Sequence, residues 1–299
     1  MQSADRQSDL STAGIIGSQS AGRFAVIGSA IAWSTAGFFT RAIPLDGWTL
    51  LFWRGLFGAL GIFLVILWLE GRAGRKSFAH LGRAGWLFVA ASAVGMIFFI
   101  NALRLTTVAH VAVIYAVVPF ATAFLGWLVL RESPTRSALL AALAALIDVM
   151  VMVGLSAEGN WLGDLLALGM TFMMAAMMVI ARARPGIPIL PAACLSALFS
   201  GLACGPFATT GGGQIALADL TLLVLFGLVN SALGLALFTL GARRVAPVET
   251  ALIGALDAPL APVWVWLAFA EVPGSGTLLG GGIVFASVAL YLLLTTRSR

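Results

Sequence analysis

The sequence is poor in charged residues. Only 10% of its 299 residues are charged, whereas 61% are hydrophobic and the mean hydropathy is +1.03. Soluble globular proteins carry roughly a quarter charged residues, so this composition excludes a soluble fold. It is typical of a polytopic membrane protein, whose surroundings are the lipid bilayer.

Lysine, histidine and cysteine are also scarce. Lys76 is the only lysine, and no G-x-x-x-x-G-K-[ST] loop surrounds it, which excludes transport driven by that nucleotide-binding motif. No HExxH motif or acidic cluster is present, so we expect no metal, no cofactor and no enzymatic activity. Cys194 and Cys204 lack metal-ligand spacing and are expected to be packed, reduced thiols. The net charge of +5 comes from scattered residues, so we expect no nucleic-acid partner.

Long apolar runs fill most of the chain, and ten of them can each cross a hydrocarbon core about 30 Å thick. Lipid offers the backbone no hydrogen-bond partner, so each run must satisfy its own peptide groups as a helix. The sequence therefore predicts an all-α integral membrane protein with ten transmembrane helices, numbered here as spans 1 to 10. The runs are 23–43, 48–69, 85–103, 108–130, 137–155, 161–181, 190–208, 219–240, 247–270 and 277–296.

The basic residues predict the orientation. With the N-terminus inside, fourteen Arg and Lys residues lie on the inner side, Arg41 and Arg104 lie outside, and Arg54 is embedded in span 2. Cytoplasmic loops carry an excess of Lys and Arg, so both termini are expected in the cytoplasm. Residues 1–22 are polar and lack the apolar core of a signal peptide, which predicts a flexible cytoplasmic tail. We expect a bacterial-type inner membrane.

The two halves of the chain resemble each other. At an offset of 140 residues, "RLTTVAHVAVIYAVVPFA" aligns with "RVAPVETALIGALDAPLA", which pairs Pro119 with Pro259. At an offset of 141, "GSAIAWSTAGFFTR" aligns with "GMTFMMAAMMVIAR". Each half, 23–156 (spans 1–5) and 157–299 (spans 6–10), holds an odd number of spans. The halves should therefore insert with opposite orientations, a common construction in secondary transporters.

These stretches, together with "WRGLFGAL" in span 2, resemble the drug/metabolite transporter superfamily, specifically its two-repeat EamA branch. The resemblance covers about residues 23–296. It implies a ten-helix inverted 5+5 repeat around a central cavity built from spans 1–4 and 6–9. The chain is also similar to the aromatic amino-acid exporters of that branch.

The resemblance implies a secondary transporter that exports small metabolites, above all aromatic or other apolar amino acids, by alternating access. Coupling to protons and facilitated movement without coupling both fit the few intramembrane acids. The alternative function is an integral-membrane enzyme acting on a lipid or isoprenoid. Such an enzyme needs clustered histidine or acidic residues at one membrane face, which the sequence lacks. The sequence carries no signal for the oligomeric state.

Aromatic, polar and sulfur-containing side chains are the candidates for the cargo site. Aromatic rings with a few amides suit an amphipathic metabolite, and methionines adapt to varied shapes. The alternative is that the methionines, at i, i+4 spacing, only fill a core. The candidates are Trp33, Ser34, Asn101, Tyr115, Met174, Met178, Asn230, Ser231 and Trp264.

Charged residues inside apolar helices form a second group of candidates. An intramembrane charge costs from about 2.5 kcal/mol upward, so it must pair, protonate, face water or, as is possible for Arg54, snorkel to the surface. Asp257 is the candidate to bind a proton or a cargo amine; a neutral or Arg-paired structural role is the alternative. For Asp148 we favour a structural hydrogen bond. For His110, at the start of span 4, we favour a capping or interfacial role over a proton relay.

Pro119 and Pro259 lie near the centres of spans 4 and 9. A mid-helix proline removes one hydrogen bond and clashes with the carbonyl four residues earlier, here those of Tyr115 and Ala255. Because the repeat relates the two prolines, we predict that both are bending points facing the cavity. A static packing kink is the alternative.

Replacing Pro119 with Ala is expected to change the transport rate more than the yield of folded protein, because the substitution restores a continuous helix at a point of bending. Initial rates in proteoliposomes and the monodisperse fraction after purification measure the two effects. Unchanged rates alongside lost folding would contradict a hinge.

Overall fold

The computed structural model describes residues 19–71, 73–115, 117–131, 160–209, 215–242, 244–245, 253–254 and 256–272. Within these ranges the chain is helical, with no strand, which confirms the all-helical class. Spans 5 and 10 and the candidate Asp148 lie outside the described residues. Residues 19–22, expected within the tail, already belong to the first helix.

The described helices follow the predicted spans in order. In the first half they are α1 (19–34) and α2 (Ala36–Ala42) in span 1, α3 (Gly47–Glu70) in span 2, α4 (Ala73–Ser77) with a 3-10 turn (Phe78–His80) as a connector, α5 (Gly82–Leu105) in span 3, and α6 (Val108–Tyr115) and α7 (Val118–Leu130) in span 4. In the second half they are α8 (Trp161–Ala183) in span 6, α9 (Ile189–Cys204) with a 3-10 turn (Gly205–Phe207) in span 7, α10 (Leu217–Leu225), a π-helix (Phe226–Leu233) and α11 (Gly234–Ala242) in span 8, and α12 (Asp257–Phe269) in span 9.

Five described segments are long and apolar enough to cross a membrane, and they correspond to spans 2, 3, 6, 7 and 8. Segments of this length and hydropathy confirm a multi-pass membrane protein. They are Gly47–Glu70, Gly82–Leu105, Trp161–Ala183, Ile189–Phe207 and Leu217–Ala242.

Four spans differ from the continuous helices expected. Span 1 is interrupted at Thr35, span 4 between α6 and α7, span 8 by the π-helix, and span 9 at Leu256, between the helical residues 253–254 and α12. Pro119 is therefore the second residue of α7, and Pro259 is the third residue of α12. A proline in the first turn of a helix lacks only an N–H that would have no intrahelical partner. Each expected mid-helix kink is thus a new helix start.

Hydroxyl groups explain the interruption of span 1. Ser34 Oγ donates to the carbonyl of Ile31 at 2.7 Å, and Thr35 Oγ1 donates to the carbonyl of Ala32 at 2.6 Å. Such local side-chain bonds compete with the backbone ladder of a helix. The sequence "WST" therefore favours an interruption of the helix at this point.

The two halves of the chain interlock. α3 packs along α9 and along the π-helix, α5 along α8 and α9, α6 and α7 along α8, and α12 along α2 and α6. The largest buried side chains at these contacts include Leu50, Ile100, Leu103 and Phe226. Spans of the first half therefore contact mainly spans of the second half.

Glycines allow α3 and α9 to cross at very short distance. A Cβ atom on Gly55 would lie 2.6 Å from both the carbonyl oxygen of Ala197 and the Cα of Gly201. A Cβ on Gly201 would lie 2.9 Å from the carbonyl oxygen of Phe52. Small residues permit this approach between transmembrane helices. The crossing fixes span 2 against span 7.

We expect Gly55→Ala to destabilise the protein by about 1–3 kcal/mol, the usual cost of overpacking, because the new methyl group meets backbone atoms that cannot rotate away. Gly28→Ala is the matched control, since its Cβ would meet only the end of the Leu237 side chain, at 3.1 Å. Thermal unfolding of the two variants in detergent measures the effect. Equal melting temperatures would show that the crossing is not rigid.

Asp46 caps the N-terminus of α3. Its Oδ1 accepts hydrogen bonds from the backbone N–H groups of Trp48 and Thr49, each at 3.0 Å, and its Oδ2 accepts one from the Thr49 hydroxyl at 2.5 Å. Partial burial tends to raise the pKa of Asp46. The hydrogen bonds, led by those from Thr49, outweigh burial and hold this pKa below its ordinary value.

Asp46→Ala should lower the free energy of unfolding by about 1 kcal/mol at neutral pH, the usual value of an N-cap. Because the folded-state pKa is depressed, the carboxylate stabilises the protein above the unfolded-state pKa, and this contribution is lost as the pH falls through the folded-state pKa. The difference from wild type should therefore shrink in acid. Asp219→Ala, in the first turn of α10 where no side-chain cap bond forms, is the control for loss of charge alone. A difference that stays constant into strong acid would contradict this assignment.

Candidate functional site

The interruptions in spans 1, 4, 8 and 9 meet at one cavity of about 320 Å³ between the two halves. Residues beside each interruption line it: Ser34, Tyr115, Asn230 and Asp257. In a membrane, irregular backbone is tolerated where it lines a cavity or is buried in protein. The position of the cavity therefore accounts for the positions of the breaks.

Seven of the 22 lining residues are aromatic or sulfur-containing. Trp33 packs over the backbone of Gly234, and its ring lies 5.2 Å from that of Phe238. Spans 2, 3 and 6 supply further side chains without a break in their helices. The aromatic and sulfur-containing lining residues are Trp33, Met96, Phe99, Tyr115, Met170, Met174 and Met177.

Six of the nine predicted cargo-site residues line this cavity, and three do not. Asn101 Nδ2 donates to the carbonyl of Ile97 at 2.8 Å, within its own helix. Met178 is 45% exposed, and its sulfur accepts a hydrogen bond from Thr122. Trp264 lies behind the lining. The six lining residues are Trp33, Ser34, Tyr115, Met174, Asn230 and Ser231.

Trp264 supports the lining from behind. Its Nε1 donates to Ser34 Oγ at 2.8 Å and so joins span 9 to the interruption in span 1. Ser34 also donates to its own helix, so its hydroxyl is held in one orientation. The indole therefore positions a lining residue.

Helical spacing would have found residues that the sequence reasoning missed. Met170, Met174 and Met177 are spaced i, i+4 and i+7, which places them on one face of α8. Met177, not Met178, completes that face. On α5, Ser92, Met96 and Phe99 follow the same spacing and line the cavity.

Arg54 is the buried cation of the cavity wall. It is 3% exposed, so it does not snorkel to the membrane surface. Its guanidinium carbon lies 4.8 Å from the ring centroid of Phe226, a cation–π contact. Nη2 donates to Asn230 Oδ1 at 2.8 Å, whereas Nε is buried without a hydrogen-bond partner. Among the described residues, no carboxylate forms an ion pair with Arg54.

Asn230 holds this arrangement together. Its Nδ2 donates to the carbonyls of Ala32 and Trp33, at 3.2 and 3.0 Å, beside the interruption of span 1. With its nitrogen bound there, the amide oxygen faces Arg54. One side chain of the π-helix thus links spans 1, 2 and 8. Single-turn π-helical insertions are frequent at functional sites.

Asp257 places an acidic group in the same cavity. It is the first residue of α12 and lines the cavity together with Tyr115 of α6. A carboxylate at a helix N-terminus is favoured by the helix dipole. The wall therefore carries a cation from span 2 and an acid from span 9.

A polar cluster joins several spans at one end of the molecule. Arg41 Nε lies 3.1 Å from Glu271 Oε2, and its two Nη atoms donate to the carbonyls of Leu103 and Thr106 at 2.7 and 3.1 Å. We call this group the Arg41 cluster. Its members are Arg41, Arg104, Thr106, His110, Asp164 and Glu271.

Arg104 extends the cluster to the loop between spans 1 and 2. Its guanidinium donates to the carbonyls of Thr40 and Ile43, at 3.1 and 3.2 Å, and to that of Leu45. These carbonyls lie in the last turn of α2 and just after it, where the helix leaves carbonyls without an intrahelical partner. Arg104 therefore closes the end of span 1.

His110 belongs to the Arg41 cluster and not to the cavity. It is buried, and its Nδ1 lies 3.2 Å from Asp164 Oδ1, which also accepts a hydrogen bond from Thr106 at 2.8 Å. The Nε2 atom is buried without a partner. His110 thus joins span 4 to span 6, a contact that the sequence did not predict.

The second cleft, the potential metal ligands and the cysteines do not form the site. A cleft of about 800 Å³ is lined by the connectors at residues 80–81 and 184–187 and by the adjoining turns of α5, α7 and α8, away from the interruptions. Within the described part of the chain, no group of three His, Cys, Asp or Glu residues is placed to hold a metal. Both cysteines are buried and free.

The membrane-spanning helices and the cavity between the two halves define a multi-pass membrane transporter of small molecules. The model of the EamA-like transporter family matches residues 20–154 and again residues 161–293. The chain belongs to the EamA-like transporter family. Its members are generally transporters, which favours the carrier over the membrane enzyme.

A solved structure named only "Crystal structure of protein" has the same fold. Its TM-score is 0.65 and its sequence identity 18%, and the alignment covers 94% of this chain and 99% of that chain. At this identity the likeness shows the fold alone. No curated protein matches the chain.

Proposed function

We propose that this protein is a secondary carrier that exports amino acids, aromatic or otherwise apolar, across the bacterial inner membrane by alternating access. The cavity between the halves carries the proposal, because it combines aromatic and sulfur-containing walls with one buried cation and one acid. An amino acid with an apolar side chain presents the matching groups. Trp33, Ser34, Tyr115, Met174, Asn230 and Ser231 are the proposed contact residues, with Trp264 as their support.

Contacts between the halves support a two-fold relation between repeats 23–156 and 157–299. Span 2 packs on span 8, and span 7 packs on span 3. Likewise, span 1 packs on span 9, and span 6 packs on span 4. Each contact thus recurs with the halves exchanged, as a repeat of five spans requires.

Residues at equivalent positions support opposite insertion of the two repeats. Arg104 lies at the end of span 1, where it binds the terminal carbonyls. Its counterpart Arg244 lies at the opposite end, the start of span 1, because a Cβ on Gly22 would be 2.7 Å from the Arg244 Cβ. α7 and α12 also correspond. Each has 13 residues and ends at a left-handed residue, Arg131 or Ala270, with a φ of 57°.

The Arg41 cluster supports an alternating-access cycle. The basic residues predict that this end is outside and both termini inside. Because the cluster ties together the ends of spans 1, 3, 4, 6 and 9, it holds this end closed. Opening would break the Arg41–Glu271 and His110–Asp164 contacts, with the breaks before Pro119 and Pro259 as flexing points. The Arg41–Glu271 pair is part-exposed, so its rupture costs about 1 kcal/mol or less.

Purified protein in liposomes provides the direct test. Labelled phenylalanine inside the vesicles should leave faster than from protein-free liposomes, and unlabelled phenylalanine outside should accelerate the exchange. Measurement at an acidic and a basic pH separates proton coupling from facilitated movement. Vesicles that retain phenylalanine and other apolar amino acids equally with and without protein would reject the proposed cargo.

Asp257→Asn is expected to remove the pH dependence of transport, because the amide cannot take up a proton, and to weaken recognition of the cargo amine about tenfold. Initial rates at the two pH values, with the concentration for half-maximal rate, measure both effects. Asp219→Asn, a carboxylate in the first turn of α10 away from the cavity lining, is the control. An intact pH profile with unchanged apparent affinity would remove Asp257 from both roles.

A further inference from the structure

We propose that Arg54, oriented by Asn230 and Phe226, binds the carboxylate of the cargo, so that the carrier selects solutes bearing a carboxylate. This inference rests on the proposed carrier function and names the chemical group that its cavity recognises. The assignment depends on the geometry around one guanidinium and on the charge left uncompensated there.

The guanidinium is held at the cavity wall from two sides. Phe226, which is fully buried, faces it at 4.8 Å, and Asn230 accepts one of its N–H groups at 2.8 Å. α3 and the π-helix are locked together at this level, because a Cβ on Gly227 would lie 2.8 Å from the backbone nitrogen of Gly58. Arg54 is therefore oriented before any cargo arrives, which reduces the entropy lost on binding.

The positive charge of Arg54 has no counter-ion among the described residues. An arginine side chain stays protonated in proteins, so its charge is present even in this buried position. Its two neighbours, an amide oxygen and an aromatic ring, carry only partial negative charge. The buried Nε–H, which has no acceptor among the described residues, adds the cost of an unsatisfied donor. An anion entering the cavity would compensate the charge.

A carboxylate fits this position better than other anchoring groups. The guanidinium offers parallel N–H groups that match the two oxygens of a carboxylate, and such charge-assisted pairs are among the strongest hydrogen bonds in proteins. An ammonium group would be repelled by Arg54. Asp257, on α12, would meet the ammonium of the same amino acid elsewhere on the cavity wall.

Three aromatic probes separate the contributions of the two charged groups: phenylalanine carries both, phenylpropionate only the carboxylate, and phenethylamine only the ammonium. We would measure their dissociation constants by titration calorimetry with the purified full-length protein in detergent. For wild type we expect phenylpropionate to bind at least about tenfold tighter than phenethylamine, because Arg54 binds the carboxylate and repels the ammonium.

Two substitutions at Arg54 test the anchor. In Arg54→Gln the preference for the carboxylate should disappear, whereas Arg54→Lys should keep the charge but lose the paired geometry and give an intermediate preference. Lys76→Gln removes one positive charge from an exposed connector and should keep the wild-type preference. Thermal unfolding identifies the variants that fold.

The results that overturn the inference are specific. It fails if phenethylamine binds wild type as tightly as phenylpropionate, if no carboxylate probe binds, or if folded Arg54→Gln keeps the wild-type preference. If Arg54→Gln does not fold, the wild-type probe series and Arg54→Lys decide the matter. Transport is scored separately. Carboxylates that bind but do not cross the liposome membrane would refute the carrier and leave the Arg54 anchor standing. Transport without a preference for carboxylates would refute the anchor and leave the carrier standing.

Discussion

The absence of water from the membrane interior is the constraint on which the rest of this structure depends. A helix can be interrupted there only if the freed backbone groups find partners. At the break in span 1, the Ser34 and Thr35 hydroxyls and the Asn230 amide bind carbonyls of the preceding turn. Because the breaks of spans 1, 4, 8 and 9 meet at one place, they line a single chamber and are not four isolated defects.

The same constraint explains the arrangement around Arg54. A guanidinium in an apolar bundle must be enclosed by groups that tolerate its charge, and here an amide and an aromatic ring supply only part of that compensation. Close helix contacts make the enclosure rigid. Gly55 brings α3 against α9, and Gly58 with Gly227 brings it against the π-helix. Packing by the smallest residue thus holds a charged side chain at the wall of the chamber, where we propose that it selects carboxylates.

The Arg41 cluster gives the chamber a defined end. Its arginines satisfy helix-terminal carbonyls, and the cluster as a whole joins the ends of five spans, yet the Arg41–Glu271 pair is partly exposed to solvent. Contacts of this kind are individually weak in water. In the proposed alternating-access cycle these few modest contacts would exchange for hydration when that end opens, while the apolar packing deeper in the bundle is kept.

Composition alone determined the class of this protein, since so few charges and such long apolar runs are compatible only with membrane-spanning helices. The spans, the repeat and the family likewise follow from local patterns, and helical periodicity identifies a face such as Met170, Met174 and Met177. Only the tertiary structure decided the rest. The π-helix, the helix starts before Pro119 and Pro259, the placement of Trp264 behind Ser34 and the pairing of His110 with Asp164 each join segments far apart in the chain. No local pattern records such contacts, because they arise from the way the helices pack together.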